Sequence, residues 1–294
     1  MNRPLLLLLG AGAALGLNFP LGKLAMAAGV DPALWAAMIS VGAGLAMAIV
    51  AALAERGHQR GAPVLRYAIV SGFFSYVMPN FLTFSAIPKI GSGLAAIMYA
   101  LSPVVTALLS ILFRVRPPSL LGVIGIAIGL LGALIIIIYR NADFSSGSSL
   151  WLLAALLVPV FLGVGNIYRT LAWPKGAGPQ RLAAMTNLAA VPPLCALAIA
   201  EGGGIDLAPL AAVPGLAALQ IAVSTIMFLM LFQLQQLGGP TYLSQIGYVA
   251  AAVGVVVGVA YLGESYPASV WVGAGVIAIG IALSTIAQIR HSDD

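Results

Sequence analysis

Two asparagines 148 residues apart, Asn18 and Asn166, interrupt long apolar stretches of the sequence. A polar side chain in an apolar environment is costly unless it is hydrogen-bonded, and inside a membrane it often marks a cavity or a pathway. Because an amide group both donates and accepts hydrogen bonds, the pair can hold the amino or carboxylate group of a substrate near the membrane midplane. The alternative is that each asparagine joins neighbouring helices, an interaction worth about 0.6 kcal/mol in membrane proteins. The sequence alone leaves both interpretations open.

A second set of candidate residues would form an apolar cavity with a few polar groups, which suits a flat amphipathic substrate. Tyr99 and Tyr248 are favoured because each lies midway along an apolar stretch that occurs twice in the chain. For any single aromatic residue, ordinary helix packing is the alternative. The residues predicted to bind substrate are Asn18, Met38, Tyr76, Asn80, Tyr99, Ser102, Asn166, Asn187, Met227, Tyr242, Gln245 and Tyr248.

Charged and nucleophilic residues give little sign of catalysis. Lys23 and Arg169 lie near the ends of the first and sixth apolar segments, and we expect their side chains to extend to opposite membrane interfaces. The alternative is that they attract a substrate carboxylate. His58 and His291 stand alone, so no metal site is predicted. The sequence contains no nucleophile–base pair, phosphate-binding loop or dinucleotide fingerprint, and it therefore predicts neither an enzyme nor a cofactor.

The composition shows where these residues must lie. Hydrophobic residues make up 61% of the 294 residues and charged residues 7%. A soluble protein needs far more charge to cover its surface, so the chain is predicted to be an all-α polytopic membrane protein. The net charge of +5 comes from residues in the loops, so it indicates membrane topology rather than nucleic-acid binding.

Ten apolar segments are long enough to form transmembrane helices, and no segment is left for a soluble domain. They cover approximately residues 4–27, 32–54, 65–87, 90–113, 119–139, 149–171, 182–200, 214–236, 240–262 and 267–288.

The segments form a repeat. At a shift of 148 residues, Asn18 falls on Asn166, Phe84 on Phe232, Gly91 on Gly239, Gly125 on Gly273, and Gly132 on Gly280. These matches predict two five-helix repeats, residues 1–144 and 145–294. Because five is odd, the second repeat starts on the opposite side of the membrane, so the repeats are inverted. That architecture is typical of transporters whose substrate site lies near the midplane.

Basic residues predict the orientation in the membrane. Ten of them fall on the side that both termini share: Arg3, Arg56, Arg60, Arg66, Arg114, Arg116, Arg169, Lys175, Arg181 and Arg290. Lys23, Lys89 and Arg140 fall on the other side. The positive-inside rule then places both termini in the cytoplasm of a cell whose inner (plasma) membrane the protein spans.

Three motifs carry a resemblance to a known family: LGLNFPLGKLA in the first segment, ALSPVVTALLSILF in the fourth, and YLGESYPAS after the ninth. With them the chain resembles the drug/metabolite transporter superfamily, in its ten-helix form with two EamA-type repeats. It is most similar to the YddG-type exporters of aromatic amino acids. Arg116 departs from the pattern, because the family usually has glutamate there.

The resemblance implies a secondary transporter that exports small amphipathic metabolites by alternating access through a central cavity. Aromatic or other apolar amino acids are its first expected substrates. Its expected partners are the substrate and the lipid bilayer, without nucleic acid, and the chain is expected to be a monomer or a weak homo-oligomer. One alternative is a phosphate-ester or nucleotide-sugar antiporter of the same superfamily, which needs several cavity lysines or arginines. A membrane enzyme and a channel are further alternatives.

Energy coupling is predicted from the positions of the carboxylates. No predicted segment has an Asp or Glu at its centre, where burial would let it load and release a proton. The sequence therefore predicts facilitated diffusion or exchange. Glu264 is the one candidate proton carrier, because it ends the repeated ninth segment and can turn inward when the cavity opens outward.

Overall fold

The computed structural model describes residues 3–54, 61–115, 119–140, 148–202 and 204–292, and the regular elements in these ranges are all helices. Seven of these helical spans are long and apolar enough to cross a membrane, and three shorter apolar helices accompany them. The ten correspond one to one with the ten apolar segments of the sequence. The predicted boundary between residues 144 and 145 lies outside the described residues and stays a prediction.

The first half of the chain forms five spans. The first, second and fifth are single helices, whereas the third contains a π-helical turn and the fourth is broken near its middle. Their bounds are α1 Arg3–Ala27, α2 Pro32–Ala54, α3 Ala62–Gly72, the π turn Phe73–Val77, α4 Met78–Ile90, α5 Ser92–Tyr99, α6 Ser102–Leu112 and α7 Leu120–Arg140.

The second half repeats this plan. Its helices are α8 Ser148–Leu171, α9 Pro179–Gly202, the short α10 Ala208–Ala211, α11 Pro214–Ser244, α12 Ile246–Leu262 and α13 Ala268–Ser292. Within α11, Gly239 has φ 71° and ψ −175°, which is not helical. The residues after Gly239 therefore belong with α12 to the ninth span, as the predicted segment 240–262 implies.

Repeat-related glycines divide the third span from the fourth and the eighth from the ninth. Gly91 has φ 85° and ψ 157°, close to the conformation of Gly239. A side chain is not tolerated in this region of backbone space, so glycine is required at both sites. Each glycine lets the chain reverse direction without a loop. The same turn at repeat-related positions supports the duplication inferred from the sequence.

Helix packing follows the same symmetry. α1 packs against α11 and α12, and its repeat counterpart α8 packs against α4 and α6. The other main contacts pair α2 with α9, α5 with α12, and α7 with α13. Every one of these pairs joins the first half to the second. The two halves therefore interlock, and the space left between them lies at the centre of the molecule.

Glycines allow the closest of these approaches. A Cβ atom at Gly132 on α7 would lie 2.6 Å from the Gly273 carbonyl oxygen on α13, and one at Gly280 would lie 2.5 Å from the Gly125 carbonyl oxygen. On α12, Gly247 lies against the backbone of Tyr99, which is its own counterpart in the first repeat, and leaves no room for a side chain. The small residues thus set the spacing between the halves.

Candidate functional site

A central cavity of about 650 Å³, including its opening, lies between the two halves. The first half contributes Leu15, Asn18, Ile39, Ser75, Tyr76, Asn80, Phe84, Tyr99 and Ser102 to its walls. The second half contributes Leu162, Asn166, Arg169, Met227, Phe228, Leu231, Leu243, Ser244, Ile246 and Gly247. Its mainly apolar lining with a few polar side chains is typical of small-molecule binding sites.

Seven of the twelve residues predicted to bind substrate line this cavity. They are Asn18, Tyr76, Asn80, Tyr99, Ser102, Asn166 and Met227. The tyrosines have aromatic neighbours: the Tyr76 ring centre lies 4.6 Å from that of Phe228, and the Tyr99 ring centre lies 5.0 Å from that of Phe19. The repeat and the midplane position thus bring these residues together, while their contact with a substrate stays a prediction.

The other five, Met38, Asn187, Tyr242, Gln245 and Tyr248, are not among the lining residues. Tyr248 is 1% exposed and lies against Gly129 of α7. It follows Gly247, which does face the cavity, and one residue along a helix turns the side chain by about 100°. Asn187 donates to the Ala183 carbonyl oxygen within its own helix, at 3.0 Å. Met38 is half-buried against the core, Tyr242 packs beside Gly238, and Gln245 lies at the junction of α11 and α12.

Asn18 joins α1 to α11 at the cavity wall. Its Oδ1 atom accepts hydrogen bonds from Gln220 Nε2 at 2.7 Å and from Ser224 Oγ at 3.3 Å. Gln220 also donates to Ser224 Oγ at 2.8 Å. The side chain therefore has the interhelical role that was one of its two predicted interpretations, and its position at the cavity also leaves the other open.

Asn166 connects α8 to α6 and to an arginine one turn further along. Its Nδ2 donates to Thr106 Oγ1 at 3.2 Å, and its Oδ1 accepts from a terminal nitrogen of Arg169 at 2.6 Å. The two repeat-related asparagines thus occupy equivalent places at the cavity. Their partners differ, because only Asn166 has a cation beside it.

The expectation that Arg169 extends to a membrane interface is wrong. The side chain is 2% exposed and lines the central cavity. Its Nε donates to Gln235 Oε1 at 3.4 Å, and its second terminal nitrogen donates to Ser75 Oγ. The guanidinium carbon also lies 5.8 Å from the centre of the Phe232 ring, a favourable cation–π distance. These contacts hold the charge inside the protein.

A second polar cluster, the Glu264 cluster, consists of Lys23, Ser92, Gly93, Glu264 and Tyr266. The Glu264 Oε1 atom accepts hydrogen bonds from Lys23 Nζ at 2.6 Å, from the Ser92 backbone N–H at 2.9 Å and from Ser92 Oγ at 2.6 Å. Its Oε2 atom accepts from the Gly93 backbone N–H at 3.1 Å and from the Tyr266 hydroxyl. A carboxylate from the second half thus covers the first amide groups of α5 in the first half.

The surroundings of Glu264 determine its protonation. Burial alone would raise the pKa of this carboxyl, but hydrogen bonds from Lys23, Ser92 and Tyr266 outweigh burial and hold the pKa at about 2. Glu264 lies two residues beyond the end of α12 at Leu262. Because its pKa is so low, its carboxyl is ionised at neutral pH. The LGE motif alone does not indicate this cluster, because only the packing of α5 on α12 brings Glu264 beside Gly91, Ser92 and Gly93.

The EamA-like transporter family model matches this chain twice, over residues 2–138 and 149–286. The chain belongs to the EamA-like transporter family. The drug/metabolite transporter resemblance, the all-helical fold and the duplicated organisation are thereby confirmed. EamA-like proteins are membrane transporters of small molecules and are generally not enzymes.

The solved structures agree with the fold of this EamA-like transporter. One, titled "Crystal structure of protein", superposes with a TM-score of 0.67 and is 19% identical. The alignment covers 94% of this chain and 97% of that one. At this identity the likeness shows the shared fold alone. A search of curated proteins finds no match.

The EamA-like transporter has one basic residue, Arg169, among the residues that line the central cavity. Lys23, the other predicted candidate, is instead paired with Glu264. A phosphate-ester or nucleotide-sugar substrate needs several converging lysines or arginines. The described part of the cavity does not supply them, which weighs against the antiporter alternative.

Proposed function

We propose that this EamA-like transporter exports small amphipathic metabolites by alternating access through the central cavity. The observation that carries the proposal is the cavity itself, which lies between the interlocked halves and combines aromatic walls with a few polar groups. Such a lining gives an apolar ring a favourable surface and leaves polar groups to fix its orientation.

Aromatic and other apolar amino acids are the first substrates to test. The resemblance to YddG-type exporters supports this choice, and so do the rings of Tyr76, Tyr99 and Phe228 at the cavity. Export as the direction of transport is supported by the same resemblance, and the cytoplasmic position of both termini is supported by the basic residues of the loops.

We further propose that the substrate's own electrochemical gradient alone drives transport, as facilitated diffusion or exchange. The residues that line the cavity include no Asp or Glu, and a proton-coupled site commonly depends on such a group. Glu264, which the sequence singles out as the one possible proton carrier, is instead hydrogen-bonded to Lys23 and to the first backbone amides of α5.

Reconstituted proteoliposomes test the proposal. The purified protein should carry labelled aromatic amino acids down their concentration gradient and exchange them for unlabelled substrate. With equal substrate on both sides, an imposed pH gradient should cause no accumulation. Accumulation under these conditions would contradict the coupling proposal, and failure to carry any amphipathic compound of a broad panel would contradict the transport proposal.

A further inference from the structure

We infer that the central cavity binds its substrate as a carboxylate anion, with Arg169 as the group that holds the carboxylate. The inference rests on the proposed function for the position of the substrate and goes beyond it in naming the charge class. The sequence left two roles open for this residue, an interfacial position and attraction of a substrate carboxylate, and its burial at the cavity is inconsistent with the first. Its burial, its hydrogen-bond geometry and the charge balance of the cavity each support the assignment.

The first argument is the burial of an uncompensated charge. Arg169 is 2% exposed, and in the part of the chain that the structure describes, no carboxylate lies within ion-pair distance of it; the ion pair found there joins Lys23 to Glu264. A buried charge is normally paired, because the attraction of a counter-ion must offset the loss of hydration. The cavity beside Arg169 is where a soluble counter-ion can reach it.

The second argument is the count of donors. A guanidinium group has five N–H bonds. Ser75, Asn166 and Gln235 accept one each, from the two terminal nitrogens and from Nε. One N–H on each terminal nitrogen is left without an acceptor among the described residues. Two free donors, one on each terminal nitrogen, are the number that the two oxygens of a carboxylate accept in a bidentate contact.

The third argument is that the guanidinium group is held in place before any ligand arrives. Asn166 holds one terminal nitrogen at 2.6 Å, and the Phe232 ring lies 5.8 Å from the guanidinium carbon. A group fixed in this way loses little conformational freedom on binding. Leu162, Tyr76 and Phe228 line the same cavity and offer an apolar surface for the rest of the ligand.

The charge balance then selects among carboxylates. Arg169 is the one charged side chain among the residues that line the cavity, none of which is Asp or Glu. A zwitterionic amino acid brings an ammonium group that finds no counter-charge there, whereas a simple monocarboxylate of the same shape brings charge −1 to a site of charge +1. Aromatic and other apolar monocarboxylates should therefore bind more tightly than the corresponding amino acids.

The test uses three ligands with the same phenylpropyl body: 3-phenylpropanoate, phenylalanine and 3-phenylpropylamine, which at neutral pH are an anion, a zwitterion and a cation. Binding is measured on the purified full-length protein by competition against radiolabelled 3-phenylpropanoate. We expect the wild-type protein to bind the anion most tightly and the cation most weakly. Arg169→Gln should weaken binding of the anion by roughly 10- to 100-fold, the range for loss of a charged hydrogen-bonded partner.

Two further variants sharpen the result. Arg169→Lys keeps the charge but loses the fork geometry, so its affinity for the anion should lie between those of the wild type and of Arg169→Gln. Arg66→Gln is the matched control, because Arg66 is an exposed arginine on α3 that does not line the cavity. Its affinity for the anion should equal that of the wild type.

The effect of a membrane potential on transport can be measured on the wild-type protein alone. Because the anion carries a net charge, an imposed potential should change its rate of transport in proteoliposomes, whereas the transport rate of zwitterionic phenylalanine should stay the same. The inference is overturned if the wild type binds phenylalanine as tightly as 3-phenylpropanoate, or if folded Arg169→Gln binds the anion with wild-type affinity.

The outcomes separate this inference from the proposed function. Arg169-dependent binding of the anion without transport of any ligand would support the carboxylate site and contradict the transport proposal. Transport of aromatic compounds that is the same in wild type and Arg169→Gln would support transport and overturn the carboxylate site.

Discussion

The Glu264 carboxylate joins two parts of the chain that lie 172 residues apart in sequence. It accepts hydrogen bonds from Lys23, from the Ser92 hydroxyl and from the first backbone amides of α5. These bonds compensate its charge, although only 7% of its side chain is exposed. Removing that charge should leave Lys23 and the α5 amides without a partner. The contact therefore stabilises the conformation in which α5 and the end of α12 lie together.

The first prediction follows from its pKa. Because the folded pKa of about 2 lies below the ordinary value near 4.3, the carboxylate stabilises the fold above pH 4.3 and loses this effect as the pH falls toward 2. Glu264→Gln should lower the free energy of unfolding in detergent at pH 7 by up to about 3 kcal/mol. The difference from wild type should shrink below about pH 4.

Glu201→Gln is the control for this experiment, because Glu201 is exposed at the end of α9. It should leave stability at pH 7 within about 0.5 kcal/mol of the wild type. A pH-independent effect of Glu264→Gln would show that packing, rather than the ionised carboxylate, is what matters at this position.

A second prediction concerns Tyr99, which lines the cavity and packs on Phe19. Tyr99→Ala should reduce transport of aromatic substrates by roughly three- to tenfold, the range for loss of one aromatic contact. Tyr261→Ala is the matched control, since Tyr261 is 82% exposed. Unchanged transport by well-folded Tyr99→Ala would assign Tyr99 to helix packing alone.

Single residues also show how far the sequence can predict the site. Asn18, Asn166 and Tyr99 line the cavity, and they could be selected because repeat position and depth in the membrane can both be read from the sequence spacing. For Tyr248, the sequence places the residue at the right depth but does not show which way its side chain points. In the structure its neighbour Gly247 lines the cavity instead. Arg169 was expected at an interface because it is near a helix end, and only the positions of Ser75 and Gln235 on other helices show why it turns inward.

At the scale of the elements, the two glycine turns decide how the fourth and ninth spans begin. The predicted segments located these spans, but the exact turns depend on backbone angles that only the structure gives. Gly91 also lies beside Glu264: a Cβ atom there would be 3.5 Å from Oε1. The backbone angle of one glycine thus places the amides that the Glu264 cluster uses.

The third prediction tests this element. Gly91→Ala forces a side chain into a backbone region reserved for glycine, and it should cost about 1–3 kcal/mol of stability. Gly275→Ala is the control, because a Cβ atom at this helical position would meet nothing within 4 Å. Its thermal stability in detergent should equal or exceed that of the wild type. Equal stability of Gly91→Ala and wild type would contradict the need for glycine at this turn.

The fourth prediction concerns the whole molecule and its orientation. Ten basic residues on one side against three on the other predict cytoplasmic termini. Reporter fusions after Asp143, which lies outside the described residues, and at the C-terminus should report opposite sides of the membrane, the C-terminal one cytoplasmic. Fusions that report the same side would contradict the predicted topology.

The contact between α7 and α13 is symmetric between the two repeats. Gly132 lies on the Gly273 carbonyl and Gly280 on the Gly125 carbonyl, and each of these pairs becomes the other when the two repeats are exchanged. Such reciprocal contact is the signature of an isologous interface, the kind that two identical subunits form around a two-fold axis. Within one chain, the two repeats thus meet along α7 and α13 as two subunits of a symmetric dimer meet.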